Sequence, residues 1–362
     1  MNFIFYLWSM VIIRILLYPI SLLYGLAVLI RNKLFDWGVL KSVEFGIPVI
    51  GVGNLSTGGT GKTPHVEYLV SLLKNEYKIA VLSRGYKRKT KGFFVADENS
   101  TAFEIGDEPL QVHQNFPDII VAVDEKRVHG ITLLKQNFPE VDLIILDDSF
   151  QHRYVKPRLN ILLTDYYKMF NNNFLLPTGN LREPRSNAKR ADALIISKTP
   201  EIFSPLDRKL ITNKLLPYKT KNIFFSYVKY KSWEPHTEEA RKHSKCKFKT
   251  IFLVTGIANP TAIEEHLKRQ CNELICFHYS DHHNFKKENI KKLIEKFHNT
   301  YSGSKVVITT QKDYMRLQKQ ELWDLLKDLP VFTIPIEIEL HNKDKKAFDE
   351  FVKKSIKNSP KH

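Results

Sequence analysis

Residues 47–63 read Ile-Pro-Val-Ile-Gly-Val-Gly-Asn-Leu-Ser-Thr-Gly-Gly-Thr-Gly-Lys-Thr, and this stretch decides the fold. The short β-branched run predicts a buried strand, the glycines predict a loop, and after Pro64 apolar residues recur at helical spacing. A strand, a glycine loop and a helix in this order are typical of a phosphate-binding loop, in which backbone N–H groups surround an anion. Lys62 is expected to reach the outer phosphates, and the Thr63 hydroxyl to hold Mg²⁺. The predicted cradle is formed by Ser56, Thr57, Gly58, Gly59, Thr60, Gly61, Lys62 and Thr63.

The length and the charge of the chain narrow its class. A chain of 362 residues is long enough for two domains. The formal net charge of +16 predicts an anionic partner: a nucleic acid, a phosphorylated substrate or an acidic membrane face. The sequence has no motif that interleaves aromatic and basic residues, so we expect no nucleic-acid partner. The three cysteines form no CxxC pair and no even disulfide set, which indicates a reducing compartment.

The amino-terminal segment is strongly apolar. Residues 1–30 contain one charged side chain and are long enough to cross a bilayer, but Pro19 interrupts the run. These features favour a helix that lies in or partly inserts into one leaflet, with a true span and a buried core helix as alternatives. Basic residues follow at once and predict that the rest of the chain stays on the cytoplasmic side. The less apolar residues fall on one helical stripe, formed by Arg14, Tyr18, Ser21 and Gly25.

Aliphatic strands alternate with helices after the phosphate loop. Near-continuous apolar strands predict a parallel sheet with helices on both faces, and ligands bind such sheets at the carboxyl ends of the strands. We therefore predict an α/β fold with an apolar membrane-associated helix at 1–35, a P-loop sheet domain at 36–220 and a second, smaller α/β domain at 221–362. In the second domain, residues 331–338 are predicted as one strand.

Two pairs of carboxylates follow predicted strands or open predicted helices. Asp147 and Asp148 close an aliphatic strand, as in a Walker B motif that holds Mg²⁺; the alternative is a strand-end pair that caps a turn. Asp107 and Glu108 follow Gly106 at a helix start. A carboxylate there is either the base that takes a proton from a sugar or alcohol hydroxyl, or an ordinary helix cap.

Three further segments carry charged or imidazole side chains. His278 and His282 are four residues apart, which is metal-like spacing on a helix, but their neighbours favour a turn and no cysteine pair completes a zinc set. A functional loop and surface histidines remain the alternatives. Arg182 and Glu183 predict either phosphate binding or a solvated loop. The segment 310–313 predicts either a base-reading loop or a plain strand-to-helix connection.

Taken together, these motifs resemble the tetraacyldisaccharide 4′-kinase family over about residues 47–313. The family motifs, besides the phosphate loop, are Leu-Ser-Arg-Gly-Tyr at 82–86, Gly-Asp-Glu-Pro at 106–109, Leu-Asp-Asp-Ser-Phe-Gln-His at 146–152, Leu-Leu-Pro-Thr-Gly-Asn-Leu-Arg-Glu-Pro at 175–184 and Asp-His-His at 281–283. The resemblance implies an ATP- and Mg²⁺-dependent kinase that phosphorylates the 4′-hydroxyl of a tetraacyldisaccharide 1-phosphate, forming lipid IVA in lipid A biosynthesis.

The resemblance also implies an architecture and a set of roles. A P-loop kinase-like domain and a second domain would close over the active-site cleft, at the cytoplasmic face of the bacterial inner membrane where the lipid substrate lies. Asp107 would be the base, assisted by His282. The alternative function is a membrane-tethered P-loop NTPase that acts as a switch. Mg²⁺ would be held by Thr63, Asp147, Asp148 and Glu108, and the substrate by Arg182, Glu183 and His152.

Overall fold

Two β-sheets organise the chain in a computed structural model, which describes residues 2–218, 222–243, 247–281 and 283–357 and the side chains from residue 16 onward. The strands are β1 (Val49–Asn54), β2 (Ile79–Ser83), β3 (Phe94–Val95), β4 (Ile120–Val123), β5 (Leu143–Leu146), β6 (Leu159–Asp165), β7 (Ala193–Ser197), β8 (Asn222–Tyr230), β9 (Glu234–Pro235), β10 (Thr250–Thr255), β11 (Glu273–His278), β12 (Lys305–Thr310), β13 (Val331–Ile334) and β14 (Ile336–Leu340). The α-helices are α1 (Asn2–Asp36), α2 (Lys62–Leu73), α3 (Ala102–Ile105), α4 (Asp107–Asn115), α5 (Arg127–Asn137), α6 (Pro205–Leu215), α7 (Glu238–Lys242), α8 (Thr261–Lys268), α9 (Lys287–Asn299), α10 (Gln311–Leu317), α11 (Gln320–Leu326) and α12 (Asn342–Lys357).

The larger sheet has the strand order β14-β8-β7-β6-β1-β5-β2-β4-β3. Strands β8 to β4 of this order run parallel, and β14 and β3 pair antiparallel at the two edges. Apolar side chains of α2, α4 and α12 cover one face, and those of α5 and α6 lie on the other. The prediction of an α/β fold with a large parallel sheet is confirmed, and its carboxyl edge places the loops after β1, β2 and β5 side by side.

The smaller sheet has the strand order β11-β10-β12-β13-β9, in which only β9 is antiparallel to its neighbour. Helices α9 and α11 pack on one face together with Leu317 of α10, and α7 and α8 pack on the other. The smaller sheet therefore has its own apolar core on each face, and α10, which follows β12, extends from it toward the larger sheet.

The chain leaves the larger sheet after β8 and returns to it before β14. The prediction of one strand at 331–338 is wrong, because Pro335 divides the segment into β13 and β14, which belong to different sheets. Proline has no N–H to continue a ladder, and the Pro335 carbonyl instead accepts from the Lys231 N–H at 2.9 Å. The predicted boundary at 220/221 therefore does not coincide with the division between the sheets, since β8, β14 and α12 build the larger one.

Helix α1 packs on the larger unit through its polar side. Ser21 and Gly25 of the predicted stripe are buried, and the Ser21 hydroxyl donates to Thr178 Oγ1 at 2.7 Å. The opposite side of α1 is apolar and exposed, which is the reverse of an ordinary surface helix. Among the residues that the structure describes, no helix is both long and apolar enough to span a bilayer. The exposed apolar residues of α1 are Leu16, Ile20, Leu22, Leu23, Leu26, Leu29 and Ile30.

Candidate active site

The phosphate loop connects the central strand of the larger sheet to α2. All residues of β1 are buried, and α2 begins at Lys62. Gly58 and Gly61 have φ angles of 101° and 83°, in the left-handed region that glycine adopts without strain. Because Gly61 directly precedes α2, the first N–H groups of that helix, which have no intrahelical acceptor, face the loop. The predicted strand, glycine loop and helix are confirmed, and their geometry suits an anion.

One side of the phosphate loop is fixed by the segment around residue 181. Ser56 forms an isolated antiparallel bridge with Leu181, and the Thr57 N–H donates to the Asn180 carbonyl at 2.7 Å. These backbone contacts join the cradle to the predicted substrate-side segment, so the two segments keep a fixed spacing.

The other side of the phosphate loop is fixed from the end of β7. Ser197 Oγ donates to the Thr60 carbonyl at 2.8 Å, and Lys198 Nζ donates to the Gly59 carbonyl. Sequence reasoning missed both residues. The available signal was their position in the sheet. Ser197 ends β7 and Lys198 follows it, and only β6 separates β7 from β1. Both contacts engage carbonyls of the loop and brace it on this side as well.

The predicted Walker B carboxylates lie beside the phosphate loop. Asp147 and Asp148 follow β5, which is the neighbour of β1, and Lys62 Nζ is 3.6 Å from Asp148 Oδ1. A Cβ on Gly53 would lie 2.7 Å from the Phe150 backbone nitrogen, so glycine lets the segment after β5 approach β1 closely. Loop lysine and strand-end carboxylate are thus in one place, as predicted.

Asp147 is a buried carboxylate whose pKa is raised, as expected at a site that binds a cation. Its side chain is buried, and burial together with the Glu108 carboxylate raises its pKa to about 7, although Lys62 opposes the rise. Burial also acts on Asp148, but Lys62 and Arg182 outweigh it and hold the pKa of Asp148 below its ordinary value. A bound divalent cation would remove the repulsion that raises the Asp147 pKa. The residues present therefore fit Mg²⁺, and the buried Thr63 hydroxyl at the start of α2 supplies a further oxygen.

Asp107 and Glu108 form the first turn of α4 and are paired with cations from the smaller sheet's α10. Arg316 Nε and Nη2 donate to Asp107 Oδ2 at 2.8 and 2.6 Å, and Lys312 Nζ donates to Glu108 Oε1 at 2.5 Å. Burial raises the pKa of Glu108, but Lys312 and Lys62 outweigh it and hold this pKa below its ordinary value. These pairs join the two units at the candidate site.

The predicted substrate-side residues separate into two environments. Arg182 Nη1 donates to both carboxylate oxygens of Asp148 at 2.9 Å. Glu183 instead is buried against Arg190, and Asn187 Nδ2 donates to its Oε2 at 3.0 Å. Arg182 therefore joins the carboxylate cluster and Glu183 does not; its contacts are those of a residue that shapes the loop.

His152 lies on the segment after β5, two residues beyond the close contact with β1. Burial and the neighbouring cations Arg127 and Arg84 lower its pKa to about 4, so its imidazole is neutral at physiological pH. Asp148 acts on the same pKa in the opposite direction, which places His152 near the cluster. His282 lies outside the described residues, and its predicted assistance to Asp107 stays a prediction.

Besides Lys198, sequence reasoning missed three further cations of this site. Lys312 was assigned only to a possible base-reading loop, and Arg316 was not singled out, although residues four apart share one helix face. Arg127 is the third: it is buried, its Nη2 donates to the Asp147 carbonyl at 3.4 Å, and its Nε has no hydrogen-bond partner among the described residues. A basic residue just after a predicted strand was the available signal.

Comparisons with known proteins agree with one another. A family model described as Tetraacyldisaccharide-1-P 4'-kinase matches residues 13–357. A protein named Tetraacyldisaccharide 4'-kinase from Bacteroides thetaiotaomicron is 43% identical over 359 residues, which cover 95% of this chain and 94% of the relative. A relative of the same name from Flavobacterium johnsoniae is 46% identical over 320 residues, covering 88% and 92%. Among solved structures, the "apo" form of LpxK from Aquifex aeolicus in complex with ATP matches with a TM-score of 0.70 and 29% identity, over 95% of this chain and 99% of that one.

Proposed function

We propose that this chain, which belongs to the tetraacyldisaccharide-1-P 4'-kinase family, transfers the γ-phosphate of ATP to the 4′-hydroxyl of a tetraacylated disaccharide 1-phosphate in lipid A biosynthesis. The observation that carries the proposal is the meeting of the phosphate loop with the Walker B carboxylates, where Lys62 Nζ lies 3.6 Å from Asp148. The nucleotide is ATP, which is also bound in the matching LpxK structure.

The phosphate loop and the first turn of α2 bind the outer phosphates of ATP. Backbone N–H groups supply fixed donors, and the Lys62 ammonium adds a positive charge at the γ-phosphate. Thr63 and the Asp147/Asp148 pair, with Glu108 nearby, would hold Mg²⁺, which would supply charge neutralisation on the phosphate oxygens. Because the cradle is braced on two sides, its donors need little rearrangement when the phosphate geometry changes in the transition state.

Asp107 takes the proton from the acceptor hydroxyl. The 4′-oxygen bonds to the γ-phosphorus, the bond to the β-phosphate oxygen breaks, and ADP leaves while the hydroxyl proton moves to Asp107. The two hydrogen bonds from Arg316 orient that carboxylate and tie it to the smaller sheet. His282 assists Asp107 from the segment after β11.

The substrate lies beside residues 175–184, which contact both the phosphate loop and α1. Arg182 is a cation with a fork suited to phosphate or carboxylate oxygens, and its present partner is Asp148. Glu183 belongs to this segment and holds it against Arg190. His152 acts from the neighbouring segment that follows β5.

Helix α1 brings the site to a lipid surface. Its exposed leucine and isoleucine side would enter one leaflet, while Ser21 and Tyr24 hold the polar side on the substrate-side segment; the Tyr24 hydroxyl donates to the Arg182 carbonyl at 2.8 Å. The net charge of +16 favours an anionic surface, and the cytoplasmic face of the bacterial inner membrane is the one that offers both the lipid and ATP.

One experiment tests the kinase against the switch. The purified chain is incubated with ATP, Mg²⁺ and the lipid disaccharide in mixed micelles, and the lipid is analysed by mass spectrometry. We expect the lipid to gain one phosphate for each ADP formed. ATP hydrolysis without a phosphorylated lipid would instead identify an NTPase switch, and the Lys62→Ala variant serves as the control for contaminating kinases.

A further inference from the structure

Glu264, Cys276 and His278 place a carboxylate, a thiol and an imidazole together at the edge of the smaller sheet. One ligand atom of each lies within 4.8 Å of the other two, and His278 Nε2 is 2.9 Å from Glu264 Oε1. Cys276 and His278 are two residues apart in β11 and therefore point to the same face of the strand. Helix α8 packs on that face and supplies Glu264 from its first turn. Two secondary-structure elements thus fix three potential ligands of different chemical types.

We propose that these three side chains bind one Zn²⁺ ion at a site distinct from the Mg²⁺ site of the larger sheet. Zinc in proteins accepts thiolate, imidazole and carboxylate ligands in a tetrahedral arrangement. A thiolate favours zinc over magnesium, which prefers six oxygen ligands. His278 is half-exposed, so water has access to the fourth position. The ion replaces the direct contact between His278 and Glu264.

Binding at this site releases a proton. Zinc binds the thiolate, and the thiol proton passes to the solvent. The reaction needs no oxidant and no co-reactant. Because it joins α8 to the edge strand β11, the ion also stabilises the smaller sheet.

The location gives the site a mechanical connection to the candidate active site. His278 ends β11, and the turn that follows packs against Gly256, where a Cβ would lie 3.2 Å from the Ser280 carbonyl oxygen. The Gly256 carbonyl accepts from Arg316 Nη1 at 3.3 Å, and Arg316 orients Asp107. Zinc at the strand end therefore restrains the turn on which this chain of contacts rests, without touching the reactants.

Metal titration tests the proposal without any measurement of kinase activity. The full-length chain, produced without a polyhistidine tag and freed of metal with a chelator, is titrated with Zn²⁺ against a chromophoric chelator and with Co²⁺ in the spectrometer. We expect one equivalent to bind, a thiolate-to-cobalt charge-transfer band, and a rise in the unfolding temperature with zinc. Cys276→Ser should abolish the band. His278→Gln and Glu264→Gln should each weaken zinc binding by at least about tenfold. Even the loss of a residue that only hydrogen-bonds to a metal ligand lowers metal affinity by about that factor.

Matched variants separate this site from adventitious thiol or imidazole binding. Cys271→Ser removes the other described free thiol of the same unit, and His266→Gln removes an imidazole from the same helix. Both should bind zinc like the unmodified chain. The proposal is overturned if the unmodified chain shows no saturable binding, if Cys276→Ser still binds with full affinity, or if Cys271→Ser loses the band. Since His278 is half-exposed, His278→Gln should retain the fold, and its unchanged affinity would be equally decisive against the site.

Discussion

Arg316 donates two hydrogen bonds to a single carboxylate oxygen of Asp107, at 2.8 and 2.6 Å, although the residues are 209 positions apart in the chain. Arg316 is itself buried and also donates to Asp313 Oδ1 at 3.0 Å, so its own position is fixed by the smaller sheet. The orientation of the proposed base is therefore set by a residue of the smaller-sheet unit. This arrangement makes proton transfer depend on how the two units are placed.

Arg316→Ala is expected to lower kcat by about 100-fold while KM for ATP changes little, because a base displaced by about 1 Å loses that much. Arg316→Lys, which retains one donor and the charge, should recover part of the rate. The measurement is steady-state phosphorylation of the lipid at saturating ATP. Arg269→Ala, an exposed arginine of the same unit, is the control and should keep full activity. An equal rise in KM and fall in kcat would assign Arg316 a merely structural role.

Lys62→Ala should reduce ATP turnover by at least about 100-fold, because the ammonium that stabilises charge on the transferred phosphate is lost. Turnover is measured as ADP formation with the lipid present, and the unfolding temperature reports whether the fold is intact. Lys74→Ala removes a partly exposed lysine just after α2 and should leave the rate unchanged. Wild-type turnover by Lys62→Ala would remove the phosphate loop from the mechanism.

Asp107→Asn should slow the chemical step by about 100- to 10,000-fold, the range for the loss of a general base, with ATP affinity nearly unchanged. Rapid-quench measurement of one turnover gives the chemical step, and equilibrium titration with a fluorescent ATP analogue gives the affinity. The amide retains the shape of the side chain and can still approach Arg316, so the comparison isolates the proton acceptor. If affinity and chemistry fell together, Asp107 would be a structural residue.

The outward side of α1 should carry the membrane affinity. Replacing Leu22, Leu26 and Leu29 by serine should weaken binding to anionic lipid vesicles by about tenfold for each leucine, since each side chain loses at least about 1.5 kcal/mol of burial. Co-sedimentation with vesicles measures this. A matched double variant on α6, Leu206→Ser with Leu210→Ser, removes exposed leucines elsewhere and should bind like the unmodified chain. Unchanged binding by the α1 variant would place the membrane contact outside α1.

His65 should make the fold less stable in acid. Its ring is buried in α2, with Nδ1 2.7 Å from the Gly61 carbonyl oxygen and Nε2 3.0 Å from Ser226 Oγ. Burial lowers its pKa from 6.5 to about 4. Since the unfolded chain then binds the proton more readily, stability is full above pH 6.5 and falls as the pH drops toward 4.

The size of this effect follows from the shift. At 1.36 kcal/mol per pKa unit, His65 contributes up to about 3 kcal/mol to the pH dependence. Urea unfolding between about pH 7 and about pH 4.5 should therefore show a shallower decline for His65→Asn than for the unmodified chain. Identical declines would contradict a role for His65. Its neighbour in the helix, Glu67, has a raised pKa because of burial and must be left in place, since its own loss would confound the comparison.

What the sequence predicts well is what lies close together along it. The phosphate loop and Asp147 with Asp148 are local patterns whose chemistry is fixed by residue type and by the strand before them. Arg316 was missed because its partner is far away in the chain, and no local pattern marks such a pair. Helical periodicity identified the stripe with Ser21, but it cannot tell whether a stripe faces protein, lipid or water.

The local sequence also does not show that the chain returns to the larger sheet after β13. An apolar, β-branched run at 331–338 predicts a strand, and only the partner strands show that Pro335 divides it between two sheets. The family resemblance supplied the role of Asp107, for which residue type alone left a helix cap as the alternative. Glu183 illustrates the opposite case, since its burial with Arg190 became visible only in three dimensions.

The inserted position of the smaller sheet has a consequence for synthesis on the ribosome. Tyr230 and Ile336 lie opposite each other where the chain departs and comes back, so both connections run side by side. The smaller sheet is therefore tethered to the larger one by two adjoining segments. During translation the smaller sheet is finished before β14 and α12 emerge, and the larger sheet waits for these final residues to complete its edge. Truncation near the carboxyl terminus would consequently damage the larger sheet, whose first strands are synthesised early, more than the smaller sheet, which is synthesised later.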